Sequence, residues 1–257
     1  MHTSSSTHSC TYMNNNSLNS PNQLAEAAMA HHLEAIRRIR VDHSYAYDSE
    51  ALLTDKLGFL AANCTKVLDV GQSTRDKFRL FEPRHIETMN INLYDPPADI
   101  IDDICAPSRL QYERYDGIVC LSVLEHVYDP FAATREIYQL LQPGGYLLLH
   151  LPFLFRYHAP SDLGFTDCYR FSRDGMAWLL RDFSDVTLYS IRGPYSAIFN
   201  LHRCWKKSIE KRFGMAPARL LDRIGKRFFN RQTSELQVSG YYAWARKKPS
   251  EEVKIAR

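Results

Sequence analysis

Lys66-Val67-Leu68-Asp69-Val70-Gly71-Gln72-Ser73 is an apolar run that ends in a glycine turn. Val67, Leu68 and Val70 favour extended backbone, and so short a run fits a strand buried on both faces. Gly71 permits a sharp turn, and a helical pattern follows from about residue 74 to 81. Strand, tight turn and helix N-terminus in succession bring free backbone N–H groups to one point. Such a point suits the polar part of a nucleoside-like ligand.

The same unit recurs downstream. Residues 85–93 read as a second strand, 98–104 as a short strand closed by Asp102 and Asp103, and 118–121 as the central fourth strand. Asp129-Pro130 opens a helix, because Asp is a favoured N-cap and Pro is tolerated at the first helical position. Gln142-Pro143-Gly144-Gly145 stops that helix and leads into the continuous apolar strand 146–152. Ser172 caps another helix through Leu180, 186–191 is a sixth strand, and 238–246 is a last strand expected antiparallel beside the fifth. Strands alternating with helices predict an α/β fold built on a mostly parallel sheet.

Three of these stretches carry a family resemblance. Asp69 to Arg75 resembles motif I of the class I S-adenosylmethionine (SAM) methyltransferases, whose usual form is Asp/Glu-x-Gly-x-Gly-x-Gly. Asp69 and Gly71 match it, whereas Ser73 and Arg75 stand in place of the second and third glycines. Tyr115-Asp116-Gly117-Ile118-Val119-Cys120-Leu121-Ser122-Val123-Leu124-Glu125-His126-Val127 closely resembles the motif IV region of the type 11 methyltransferase domain. Gln142 to Leu149 resembles the join between that family's fourth helix and fifth strand. The resemblance runs from about residue 66 to 183. It implies a Rossmann-like class I methyltransferase fold, with a seven-stranded, mostly parallel sheet and helices on both faces. It further implies methyl transfer from SAM to an oxygen, nitrogen or carbon acceptor.

The resemblance also assigns roles. Asp69, Gly71, Ser73 and the backbone at Leu121 would hold SAM, Asp103 would meet the adenine amino group, and the Ile104 N–H would contact the ring. In nucleotide-binding α/β folds an acid about 20 residues past the glycine turn takes the ribose hydroxyls. That count lands on Asn92, with Asn90 as the alternative. His126, just past the fourth strand, is the candidate catalytic base. The aromatic stretch 153–171 resembles a segment of methyltransferases associated with glycan biosynthesis. It would wall the acceptor pocket with Tyr157, His158, Asp162 and Arg170. The acceptor is accordingly expected to be a small molecule or a lipid-linked glycan.

Composition bounds the rest. The chain has 257 residues, 45% apolar, with a formal net charge of +3, which does not suggest nucleic-acid binding. Its six cysteines form no Cys-x-x-Cys pair, so neither a metal site nor disulfides are expected, and a cytoplasmic location is. No apolar run approaches a membrane span or a secretory signal. Residues 1–21 are polar enough to be disordered. Residues 22–60 form a helical extension with a helix over about 23–40, and 61–257 form the methyltransferase domain. An insertion at about 195–235 interrupts that domain. Within it, residues 203–231 hold ten Lys/Arg against Glu210 and Asp222, interleaved with apolar side chains. Two basic amphipathic helices broken near residues 214–217 fit this pattern; they suit a lid whose apolar face packs on the core, a peripheral contact with an anionic membrane, or a grip on a phosphorylated substrate. The altered glycine motif and the Asn at the ribose position leave a second reading, an inactive methyltransferase-like scaffold.

Overall fold

The computed structural model describes residues 21–42, 44, 48–72, 79–92, 96–159, 164–201, 216–228 and 236–250. In chain order the elements are α1 (Pro21–Arg38), β1 (Arg40–Asp42), α2 (Ser49–Asn63), β2 (Val67–Val70), β3 (Ile86–Asn90), β4 (Ile100–Ile101) and β5 (Tyr115–Leu121). There follow α3 (Pro130–Leu140), β6 (Leu141–Pro152), α4 (Arg173–Leu179), β7 (Ser184–Ile191), α5 (Pro194–Leu201), α6 (Ala216–Phe228) and β8 (Gly240–Arg246). The strands form one sheet in the order β1-β7-β8-β6-β5-β2-β3-β4, and β8 alone runs antiparallel to its neighbours.

Eight strands stand where seven were expected. The extra one, β1, begins where the helix over about 23–40 was expected to end, inside the extension expected to be helical over 22–60. It pairs parallel with the outer side of β7, in the register Arg40↔Thr187. An edge strand presents unpaired backbone groups, and β1 satisfies those of β7. The Arg40 guanidinium reinforces the register by donating to Thr187 Oγ1 at 2.9 and 3.2 Å. The helix before it, α1, packs on α4, with His31 and His32 set edge-on to the Trp178 ring.

Both faces of the sheet are covered, as the continuous apolar strands require. On one face Leu68, Ile118, Leu147 and Leu149 pack with Ile137 and Leu140 of α3 and Met176 and Leu179 of α4. On the other, Val67, Val119 and Leu148 pack with Leu52, Leu57 and Leu60 of α2. The expected caps are in place. Asp129 accepts from Ala132 N at 2.8 Å with Pro130 in the first turn, and Ser172 accepts from Gly175 N at 3.2 Å. Asp116 of the Tyr-Asp motif has a structural role: its carboxylate takes the N–H groups of Thr65 and Lys66 and the Thr65 hydroxyl, locking the entry to β2. The helix expected over 74–81 falls largely outside the described residues. Of the two basic helices expected in 203–231, the second is present as α6, while residues 202–215 and 229–235 lie outside them. No helix among the described residues is long and apolar enough to cross a membrane.

Candidate functional site

Strand β2 is where the sheet order reverses, with β5 on one side and β3 on the other, both parallel to it. Crossovers leave in opposite directions there, so a crevice opens at the carboxyl ends of the strands. A cleft of about 650 Å³ occupies that place.

The backbone takes left-handed dihedrals at two cleft-lining positions, Gly71 at φ +83° and Ser122 at +58°, and at Gln72 beside them, at +52°. Gly71 donates its N–H to Met89 O at 2.7 Å, and a Cβ built on it would lie 2.5 Å from Val123 Cγ2. Glycine is therefore required there by both dihedral and space. Gln72 keeps its strained geometry through its side chain, which donates to Pro96 O and accepts from Asn90 Nδ2, both at 3.2 Å. Ser122 is tied to β6 by its N–H to His150 O at 3.0 Å and its hydroxyl against His150 Nδ1 at 2.7 Å. Burial pushes the His150 imidazole down to about 4.

Asn92 and Asn90 both line the cleft. Asn90 is committed to local structure, accepting from Ile91 N and donating to Gln72, so Asn92 is the better placed of the two for a ligand. The paired acids also divide. Burial pushes the Asp102 carboxyl up, but the N–H groups of Arg109, Ser108 and Asp103 outweigh it and hold the group below its usual range. Asp102 thus fastens a loop. Asp103 accepts from Cys105 N at 2.8 Å and lines the cleft beside Ile104. Its carboxylate beside the Tyr128 hydroxyl pushes that phenol up to about 12.

Two residues assigned to SAM do not line this cleft. Asp69 is wholly buried within β2, and Leu121 packs with the cluster on the α2 face of the sheet. Strand β5 ends at Leu121, and it is the turn that follows, at Ser122 and Val123, that takes the cleft positions. Ser73 lies outside the described residues.

The acceptor end holds a buried cluster. Glu125 is fully buried, and among the described residues neither carboxylate oxygen has a hydrogen-bond partner of good geometry. His126 Nε2 lies 3.8 Å and His158 Nε2 3.4 Å from Glu125 Oε1. That proximity holds His158 above its usual range. The backbone carbonyl of Glu125 accepts from Cys168 N and Tyr169 N at 2.8 and 3.1 Å, stitching the aromatic stretch to the end of β5. Asp167 accepts from His158 N, and although burial pushes its carboxyl up, Arg170 and that N–H draw it down to about 2.

Arg170, expected in the acceptor wall, is used within the protein. Its guanidinium pairs with Asp167 and donates to the carbonyls of Phe155 and Arg156. Tyr157 stands 69% exposed and does not line the cleft, and Asp162 lies outside the described residues. The sequence reading missed Glu125, Phe165 and Thr166. Glu125 stood in plain view inside the Leu-Glu-His motif, but nothing in the sequence pairs it with His158, which lies 33 positions on.

Residues 29–187, more than half of the chain, match a family described as a methyltransferase domain. A ubiquinone biosynthesis O-methyltransferase of Proteus mirabilis (strain HI4320) is 30% identical over 97 residues, which are 37% of this chain and 36% of that enzyme. The chain thus spans little more than a third of that relative's length in the match. Among solved structures, a SAM-dependent methyltransferase from Archaeoglobus fulgidus is 16% identical with a TM-score of 0.48, covering 77% of this chain and 93% of that one. The [4+2]-cyclase SpnF is also 16% identical, with a TM-score of 0.46 and coverage of 89% and 97%.

Proposed function

The chain belongs to the methyltransferase domain family, whose members of this class use SAM, and from that premise we propose that it transfers a methyl group from SAM to a small-molecule acceptor. The observation that carries the reading is the cleft at the switch point, with a glycine at +83° on its floor where no side chain fits. SAM supplies an electrophilic methyl on a sulfonium. The chain's own residues do the rest. Gly71 would admit the donor close to the backbone, Asn92 would take the ribose hydroxyls, and Asp103 with the Ile104 N–H would meet the adenine. Asn offers one neutral acceptor where a carboxylate offers two charged oxygens, which predicts weaker ribose binding. At the other end His126, Phe165 and Thr166 line the space left for an acceptor. His126 is the candidate base, and the resemblance of 153–171 points to an acceptor of the glycan type.

The helical pair α5 and α6 supports a peripheral contact with an anionic lipid surface. Its inner side is small and polar: Ser196, Ala197, Asn200, Ala218 and Asp222 are buried. Asp222 holds the two helices together by accepting from Gly193 N, Tyr195 N and the Ser196 hydroxyl. Large apolar residues face outward instead, Ile198 at 63% and Leu220 at 57% exposure, with Leu201, Leu221 and Ile224 beside them. Arg219 and Arg223 are exposed on the same helix. An apolar face flanked by cations is complementary to an anionic bilayer interface.

Calorimetric titration of the full chain with SAM and its demethylated product tests the donor half of the reading, and methyl transfer across a panel of hydroxyl and amine acceptors tests the other. Micromolar binding is expected. No heat at millimolar SAM would replace the enzyme with a scaffold.

A further inference from the structure

The Glu125, His126 and His158 side chains each offer one ligand atom, and these atoms lie within 4.8 Å of one another. From this geometry we propose that the cluster is a divalent transition-metal site of the zinc class, at the acceptor end of the cleft. It extends beyond methyl transfer and departs from the absence of a metal site expected from the cysteine pattern.

Three observations carry it. First, the carboxylate of Glu125 is wholly buried, and among the described residues both of its oxygens are without hydrogen-bond partners of good geometry. A buried carboxylate faced by two imidazoles at 3.4 and 3.8 Å and by no well-aligned donor among the described residues is costly, and a cation shared by all three satisfies it.

Second, both imidazoles turn the same nitrogen toward it. His126 Nδ1 meets the Thr166 carbonyl at 2.5 Å, and His158 Nδ1 lies 3.1 Å from Asp167 Oδ2 and 3.3 Å from Arg156 O. Acceptors at Nδ1 fix the proton there and leave the Nε2 lone pairs directed at Glu125. Histidine ligands of metals are oriented in this way, by a carboxylate or a backbone carbonyl behind the ring. Asp167 is in turn clamped by Arg170, so the support is itself supported.

Third, the donor set has a defined chemistry. Two imidazoles and one carboxylate form the ligand set of catalytic zinc sites that keep a further position open. His126 lines the cleft, so that position opens toward the acceptor space. A bound ion there would hold an acceptor oxygen and favour its deprotonated form. This last role rests on the methyl-transfer reading, whereas the site itself does not.

The separations fit a site that tightens on loading. Ligands at 2.0–2.2 Å from one zinc ion in tetrahedral array lie roughly 3.3–3.6 Å apart. The Glu125–His158 distance already falls there at 3.4 Å, Glu125–His126 at 3.8 Å needs a small movement, and the two imidazole nitrogens, which lie within 4.8 Å of each other, would draw in on the ion.

Purified full-length protein, stripped with chelator, is titrated with Co²⁺ and then Zn²⁺. One equivalent of Co²⁺ with visible d–d absorption, displaced by Zn²⁺, is expected. Glu125→Gln and His126→Asn should each weaken binding at least tenfold, while His31→Asn, on α1, leaves it unchanged. Thermal unfolding of each variant separates loss of the site from loss of fold. Should Glu125→Gln not fold, the half-buried His126 variant decides. Absence of one-equivalent binding, or an affinity unmoved in His126→Asn, would overturn the site and leave a His158–Glu125 ion pair in its place. SAM calorimetry on the stripped protein reads the donor site separately, so either proposal can fail alone.

Discussion

Replacing Gly71 by alanine probes the cleft floor at its tightest point. Two costs add. A non-glycine residue held at a left-handed dihedral such as φ +83° costs about 1–2 kcal/mol. The new Cβ would stand 2.5 Å from Val123 Cγ2, where ordinary carbon contacts are near 3.5–4.0 Å, and overpacking of this kind costs about 1–3 kcal/mol. Gly71→Ala should therefore destabilise the protein by about 2–5 kcal/mol in urea unfolding. The two costs are separable. Val123→Ala alone removes two partly buried methyl groups, roughly 1 kcal/mol. In the double variant the collision disappears while the dihedral cost and the Val123→Ala loss remain, so the pair should be more stable than the sum of singles by the collision cost, about 1–3 kcal/mol. SAM titration should follow the same order, with affinity reduced at least tenfold in Gly71→Ala and partly restored in the double variant. Additive stabilities, within about 0.5 kcal/mol, would refute the contact argument. Unchanged SAM affinity in Gly71→Ala would refute the placement of the donor.

Asn92→Asp should tighten SAM by about 1 kcal/mol through a charge-assisted bond to the ribose, and an unchanged dissociation constant by calorimetry would place the ribose elsewhere. His150 binds its proton at about 4 when folded and near 6.5 when unfolded, so its contribution to stability is complete above pH 6.5 and lost as pH falls toward 4. The loss is bounded by about 3 kcal/mol and, with the ring partly open to solvent, should be about 1–2. The fall in urea midpoint from pH 7.5 to 4.5 should be smaller in His150→Gln than in the native chain, and an equal fall would remove His150 as the cause. Asp116→Ala strands the N–H groups of Thr65 and Lys66 at the start of β2 and should cost about 2–3 kcal/mol, read as a lowered urea midpoint with an unchanged slope. On vesicles containing anionic lipid, the full chain should co-sediment at low salt and release at high salt. Arg219→Glu with Arg223→Glu, and separately Leu220→Ser with Leu221→Ser, should each abolish the binding. Sedimentation indifferent to salt and to both pairs would dismiss the surface.

The strands, their order of appearance and the caps at Asp129 and Ser172 were legible in the sequence because they depend on neighbours a few residues away. A buried strand between β-formers, an N-cap before Pro130 and a glycine after Val70 are local statements of backbone chemistry. The resemblance of residues 115–127 made the family legible for the same reason, since a contiguous motif preserves its own geometry. Edge strand β1 escaped because Arg40-Val41-Asp42 has too few residues to show a period, and its partner Thr187 lies in the far half of the chain. Arg170 reads as a substrate ligand until Asp167 and the carbonyls of Phe155 and Arg156 are seen to consume its donors. The same limit applies to the inverted faces of α5 and α6, where only the fold shows that Asp222 turns inward to the Gly193 turn while Leu220 is left outside. Glu125, His126 and His158 are two neighbours and one distant residue; β5 and β6, paired side by side, carry the first two and the third off adjacent strand ends. Which side chains meet across strands is set by sheet register and crossover direction, and those are properties of the packed whole, not of any segment.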